Sequence, residues 1–195
     1  KDTLFAKILN DFNFKNTKII EADILDYIKK NDISKYKIIA NIPYYLTSNL
    51  IRNLLETPNQ PKEMYLVMQR EVAERMCKDK GNILSISVKY YADAKICFNI
   101  SRNSFWPSPK VDSALIRIIP KKKYEEDDKF FFKVIKAGFS SPRKKLINNL
   151  SQGLKIDKEK LGEIFKNLNI SKDIRAEKIS IEDWVKLKTH FKIEE

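Results

Sequence analysis

The chain has 195 residues, a net charge of +12, 43% hydrophobic and 33% charged residues, a balance that suits one good core or a larger and a smaller one. No apolar run approaches the ~20 residues of a membrane-spanning helix. Cys77 and Cys97 are isolated with no metal-type spacing, so no metal ligand set is expected, and thiols kept reduced in a cytoplasm are the simplest reading. The positive charge suits a polyanionic partner, although it is mostly lysine and, with isoleucine and asparagine also plentiful, reads equally well as AT-rich coding bias.

In chain order, 3–12 carries an amphipathic helix pattern (Leu4, Phe5, Ile8, Leu9, Phe12). "TKIIEADIL" reads as a β-branched strand ending on Glu21, Ala22 and Asp23. "YKIIANIPY" repeats that form, and "SNLIRNLLE" is a helix closed by the prolines of "TPNQP". "EMYLVMQ" predicts a third apolar strand leading straight into the helix "REVAERMCK". "NILSISVKYYA" fits strand or helix equally, and "AKICFNI" and "SALIRIIP" are strands flanking the loop "SRNSFWPSPKVD". Alternation of strands and helices predicts an α/β layer with a mainly parallel sheet over 1–120, with an antiparallel pair at its end. "KKKYEEDD" reads as a charged linker, and 121–195 as a small all-α domain. Within it, Ser141 is expected as an N-cap with Pro142 at the first helical position and Gly153 as the stop, and Ser180 with Asp183 forms a capping pattern.

Ligands of open α/β sheets gather beyond the carboxyl ends of the strands. Asp23 and Asn41 both fall there. Asp23 alone is more often a cap or turn former than a ligand group. Asn41-Ile42-Pro43-Tyr44 is more particular: Pro43 holds Ile42 extended and removes a backbone donor. The Ile42 carbonyl and the Asn41 carboxamide oxygen can then converge on an exocyclic NH₂ group, with the Tyr44 ring beside them as a stacking surface. An ordinary strand-end turn is the competing reading. "FWPSPKVDS" adds a stiff loop whose Phe105 or Trp106 can supply the opposite wall, although a hydrophobic plug over the sheet end would look the same.

"NIPYYLTSNLI", "MQREVAERM" and "FWPSPKVDSALIRI" together resemble the motifs of the rRNA adenine N6-dimethyltransferases, in order and at family-like spacing. "AGFSSPRKKLINNL" and "IRAEKISIEDWVKL" resemble the helical domain of the small-subunit (KsgA-type) enzymes rather than the Erm-type large-subunit methylases. The resemblance covers essentially the whole chain. It implies a Rossmann-like methyltransferase sheet, S-adenosylmethionine as methyl donor, and an rRNA or immature small ribosomal subunit as substrate. A cytoplasmic monomer linked to ribosome assembly is expected.

The resemblance carries roles over residue by residue. Asn41, Ile42, Pro43, Tyr44 and Phe105 match the base-binding and catalytic positions, while Asp23, Ile24 and Asn41 match the cofactor side. Arg70, Arg143, Lys144 and Lys145 are the expected rRNA contacts. Arg70 and its neighbour Arg75 could equally be ion-paired, and the other three could equally line a solvated helix face. There is one departure. The resemblance sets Lys1 just after the family's ribose-binding acid, and none of the 4 glycines forms a glycine-rich turn. The chain as given is therefore expected to bind the cofactor weakly or not at all. Two alternatives stay open: a non-catalytic RNA- or ribosome-binding assembly module, and an Erm-like 23S rRNA methyltransferase.

Overall fold

A computed structural model describes residues 3–12, 14–78, 81–122, 124, 125 and 127–192; Lys1 lies outside them. Helix α1 (Thr3–Asp11) buries none of its residues, and Leu4, Phe5, Ile8 and the following Phe12 stay exposed. The predicted strand over 17–25 does not form: 17–22 make no ladder, and helix α2 (Ile24–Lys30) begins on the Asp23 cap. β-Branched residues favour a strand only where a partner supplies the ladder. Strand β1 (Lys37–Asn41) has no neighbour on its outer edge among the described residues, leaving Ile39 82% exposed.

Helix α3 (Thr47–Leu55) buries Leu50, Ile51, Leu54 and Leu55, neighbours on one face at helical spacing. Strand β2 (Glu63–Gln69) follows and runs directly into helix α4 (Arg70–Met76). The ambiguous segment is helix α5 (Ile83–Tyr91), started by the Asn82 side chain accepting the Ser85 N–H. Strands β3 (Ala92–Ile100) and β4 (Ser113–Pro120) are the expected antiparallel pair. The described sheet has the order β1-β2-β4-β3, with β1 and β2 parallel and the other two pairings antiparallel. The described sheet is thus mixed, where a mainly parallel one was expected.

The remaining described elements are helical: α6 (Asp128–Gly138), α7 (Leu146–Leu154), α8 (Lys158–Asn167) and α9 (Ile181–Lys192). Two expectations fail here for physical reasons. Helix α7 starts at Leu146, with 142–145 in a turn. That turn is pinned by the Lys144 N–H on the Ser141 carbonyl, the Asn149 amide on Gly138 and Ser141, and the Leu146 N–H on Ile174. Gly153 is no stop: α7 runs on to Leu154 and is capped by Lys155 in the left-handed region, while a Cβ at 153 would lie 2.6 Å from the Ala137 Cβ on α6. The Ser180–Asp183 capping pattern forms as expected, with the Asp183 N–H donating to Ser180 Oγ at 3.1 Å.

Of the segment read as a charged linker, Lys122, Glu125 and Asp128 are built into the molecule, while 123 and 126 lie outside the described residues. Asp128 is fully buried. Its carboxylate accepts from Tyr90 and Tyr91 on α5, from Lys122 Nζ and from the Glu125 N–H. Around it, Tyr90 stacks on Phe131 at 4.3 Å and Tyr91 stacks on Phe132 at 5.8 Å. One apolar cluster therefore continues from the sheet layer into the helical layer, from Ile28 to Phe191.

At the opposite end of the sheet from the loop 101–112, β2 opens on Glu63. It pairs with Lys37 across the ladder at 2.9 Å and accepts from Arg117 and from Tyr65 Oη. The hydrogen bond from Lys37, followed by those from Arg117 and Tyr65, holds the Glu63 carboxyl at about 2, below the ordinary 4.5. A depressed folded-state value contributes stability that is fully present above about 4.5 and is lost as the pH falls toward about 2. Glu63→Gln is expected to flatten the fall of the urea midpoint across that window. An unchanged slope would take Glu63 out of the acid response.

Candidate functional site

The end of β1 and the β3–β4 loop meet over one open cavity of about 320 Å³ lined by Asn41, Ile42, Pro43, Tyr44, Phe105 and Trp106, with Pro107 and Pro109. All five residues expected to surround a flat ring are therefore brought together. Each is placed for a local reason. Asn41 is the last residue of β1, and its side chain is exposed. The Ile42 N–H still bonds to the Val67 carbonyl at 3.1 Å, which prolongs the β1–β2 register by one residue and buries the Ile42 side chain. Pro43 then ends the ladder, since it has no N–H to give. Its carbonyl accepts the Leu46 N–H at 2.9 Å, a turn that leads into α3.

Tyr44 is half-buried, and its hydroxyl hydrogen-bonds Ser113 Oγ at 3.0 Å, while the next residue, Tyr45, is 90% exposed. Across the opening, Phe105 is half-buried and Trp106, which precedes Pro107 through a cis peptide bond, is 99% exposed. Of the two aromatic residues considered for the second wall, Phe105 is anchored and Trp106 stands at the rim. The loop is tied by a 3-10 turn over Arg102–Ser104, by the Phe105 N–H on the Arg102 carbonyl, and by Ser108 Oγ donating to the same carbonyl at 3.0 Å.

The expected cofactor residues are not gathered in that cavity. Asp23 is half-buried and caps α2, accepting the Leu25 N–H at 2.9 Å. Ile24 lines a separate, mostly apolar pocket of about 310 Å³ with Lys18, Ile20, Ala22 and Tyr27. Asp23 itself does not line that pocket. Only Asn41 of the three expected cofactor residues lies at the cup.

The basic residues divide. Arg70 bonds Asp112 at 3.2 Å and approaches Glu74 at 3.7 Å, and Arg75 is paired with Glu71. Lys145, the N-cap residue of α7, is paired with Asp173, which lowers the Asp173 pKa. Arg143 and Lys144 are exposed on the turn before α7 and make no ion pair among the described residues. Two residues escaped the sequence reading: Ser113, behind Tyr44, and Asp112, which holds the loop. The only signal for them was their place between a rigid loop and a strand.

A sequence profile of the family described as ribosomal RNA adenine dimethylase matches residues 1–192. The ribosomal RNA small subunit methyltransferase A of Fusobacterium nucleatum is 39% identical over 180 residues, covering 87% of this chain and 65% of that protein. The protein of the same name from Mycoplasma capricolum is 36% identical over 188 residues, covering 90% and 70%. The chain thus spans about two thirds of the length of these relatives, and slightly less for the first. Among solved structures, a dimethyladenosine transferase from Plasmodium falciparum superposes with a TM-score of 0.75 at 24% identity, covering 96% of this chain and 77% of that one. The 23S rRNA methyltransferase ErmE superposes with a TM-score of 0.69 at 18% identity, covering 98% and 79%. At those identities the structural likeness concerns the fold.

Proposed function

Because the chain belongs to the ribosomal RNA adenine dimethylase family, we propose that its cup receives an adenine of small-subunit (16S-type) rRNA for dimethylation at N6. The observation that carries this reading is the convergence of Asn41, Ile42, Pro43, Tyr44 and Phe105 on one open cavity. An extruded base enters between Tyr44 and Phe105. Unstacking costs a few kcal/mol, and ring stacking at about 1–3 kcal/mol per base offsets it.

The N6 amine is a poor nucleophile because its lone pair is delocalised into the ring. The Asn41 carboxamide oxygen and the Ile42 carbonyl accept its two hydrogens and favour a pyramidal nitrogen with a directed lone pair. S-adenosylmethionine, when bound, supplies an electrophilic methyl group on sulfur. The methylated nitrogen carries a positive charge and sheds one proton to water, so the cup needs no strong base. Asp23 and Ile24 would hold the adenosine end of the donor. Arg143 and Lys144 are the cations we assign to rRNA phosphates, with Lys145 and Arg70 contributing through whatever charge their carboxylate partners leave uncompensated. No described helix is long and apolar enough to cross a membrane. We place the protein in the cytoplasm as a monomer acting on immature small subunits.

The test is transfer of labelled methyl groups from S-adenosylmethionine to immature small subunits, with calorimetric titration of the donor into the chain alongside. Label recovered as N6-methylated adenine at high donor concentration, with only weak heat because the sequence holds no glycine-rich turn, is the expected outcome. Subunit binding without heat or transfer would select the non-catalytic assembly module instead.

A further inference from the structure

The two walls of the cup come from distant parts of the chain, yet both are referred to the same pair of adjacent residues. Ser113 opens β4, is fully buried, and meets the Tyr44 hydroxyl at 3.0 Å. Asp112, immediately before it, holds the opposite wall. One carboxylate oxygen accepts the Arg102 N–H at 3.1 Å, at the start of the turn that carries Phe105. The other bonds the Arg70 guanidinium at 3.2 Å, while the Asp112 carbonyl accepts the Arg70 N–H at 3.0 Å. Arg70 begins α4 directly after β2, and Gln69 is in register with Ser113. Successive side chains of an extended chain point to opposite sides. Asp112 and Ser113 can therefore reach one wall each from a single point at the head of the sheet.

We propose that Asp112 and Ser113 act as a spacer that sets the width and tilt of the base cup. Ser113 is a positioning residue for the Tyr44 ring, and Asp112, braced by Arg70, is a positioning residue for the Phe105 turn. This rests on the reading of the cavity as a base cup. Ser113 touches no substrate, since it lies behind Tyr44 and is fully buried. Its effect is on how often the ring stands ready to stack. A net hydrogen bond of ordinary strength corresponds to about a two- to tenfold preference for the aligned ring.

The experiment uses this chain and a short single-stranded RNA carrying one 2-aminopurine, whose fluorescence is quenched on stacking. Ser113→Ala is expected to lower the quench at saturation by about twofold or more while the half-saturating RNA concentration moves by less than about twofold. Tyr44→Phe, which removes the other half of the same bond, should act alike, and the double variant should be no worse than either single one. Asp112→Ala should lower the quench further in the Tyr44→Phe background, because it acts on the other wall. Additive losses for Ser113→Ala and Tyr44→Phe, or a full quench in Ser113→Ala, would overturn the role of Ser113. A full quench in Asp112→Ala would overturn that of Asp112. If the unaltered chain leaves the fluorescence unchanged, the cup itself is wrong and the spacer falls with it.

Discussion

Asp128→Ala is expected to destabilise the chain by about 3–5 kcal/mol, the usual cost of breaking a buried, hydrogen-bonded charge pair from one side. Asp128 is fully buried at the start of α6 and serves five donor contacts. Tyr90 Oη reaches Oδ1 at 2.6 Å, Tyr91 Oη reaches Oδ2 at 3.0 Å, Lys122 Nζ reaches both oxygens, and the Glu125 N–H reaches Oδ2 at 3.0 Å. Burial pulls the Asp128 pKa upward, but the hydrogen bonds from Tyr90, Glu125, Lys122 and Tyr91 outweigh it, and the net shift is downward. Burial, and then the adjacent Asp128 charge, push the Tyr91 hydroxyl up in turn, so it stays a donor. An alanine at 128 would strand those donors in an apolar setting, where each unsatisfied group costs about 1–3 kcal/mol. Asp128→Asn keeps one oxygen but turns an NH₂ toward donors, and should fall between the native chain and Asp128→Ala. Urea denaturation followed by circular dichroism reads the effect. A loss under about 1 kcal/mol would mean that the cluster is solvated in solution and that the packing around it carries the junction.

Asn41→Ala is expected to cost methyl transfer about a hundredfold or more, the scale seen when one preorganised polar partner of a transition state is removed. Its effect on stability should stay within about 0.5 kcal/mol. The two expectations separate because of where Asn41 stands. Its backbone is opposite Val67 in the ladder, which any side chain permits, and its carboxamide is exposed at the cup. Removing that carboxamide leaves the Ile42 carbonyl as the one acceptor proposed for the amine. In the proposed cup the base would still stack on Tyr44, so RNA affinity should change by less than about twofold while turnover falls. Labelled-methyl transfer at saturating RNA measures the loss. Turnover within tenfold of the native chain would show that the amine is not held through Asn41.

Much of this was legible in the sequence because it depends on local chemistry. Pro43 after a β-branched strand dictates where the ladder ends, and the prolines of "FWPSPKVD" stiffen the loop that faces it. Apolar alternation identified β3 and β4, and helical spacing identified α3 and α6. What stayed hidden depends on partners far along the chain. "TKIIEADIL" has strand composition, but no described neighbour pairs with it. Pro142 suits a helix start, yet the Leu146 N–H goes to Ile174 and delays α7 by four residues. Gly153 reads as a stop until Ala137 is seen against it. The charges of 121–128 look solvated until Tyr90 and Tyr91 are placed over Asp128. Asp23 shows the reverse case: the plain reading of a helix cap is what the structure contains, and its role toward a cofactor stays a proposal.

The placement of the two tryptophans has an optical consequence. Trp106 stands wholly in solvent at the rim of the cup, and Trp184 is wholly enclosed in α9, stacked on Phe139 at 5.8 Å. They are the only tryptophans in the chain. Their emission should differ in colour and in access to a soluble quencher such as iodide. A ligand settling on the cup should dim or shield the red-shifted, quenchable component and leave the blue-shifted one unchanged. Loosening of the helical layer should do the opposite. The unmodified protein therefore carries separate intrinsic reporters for docking and for unfolding.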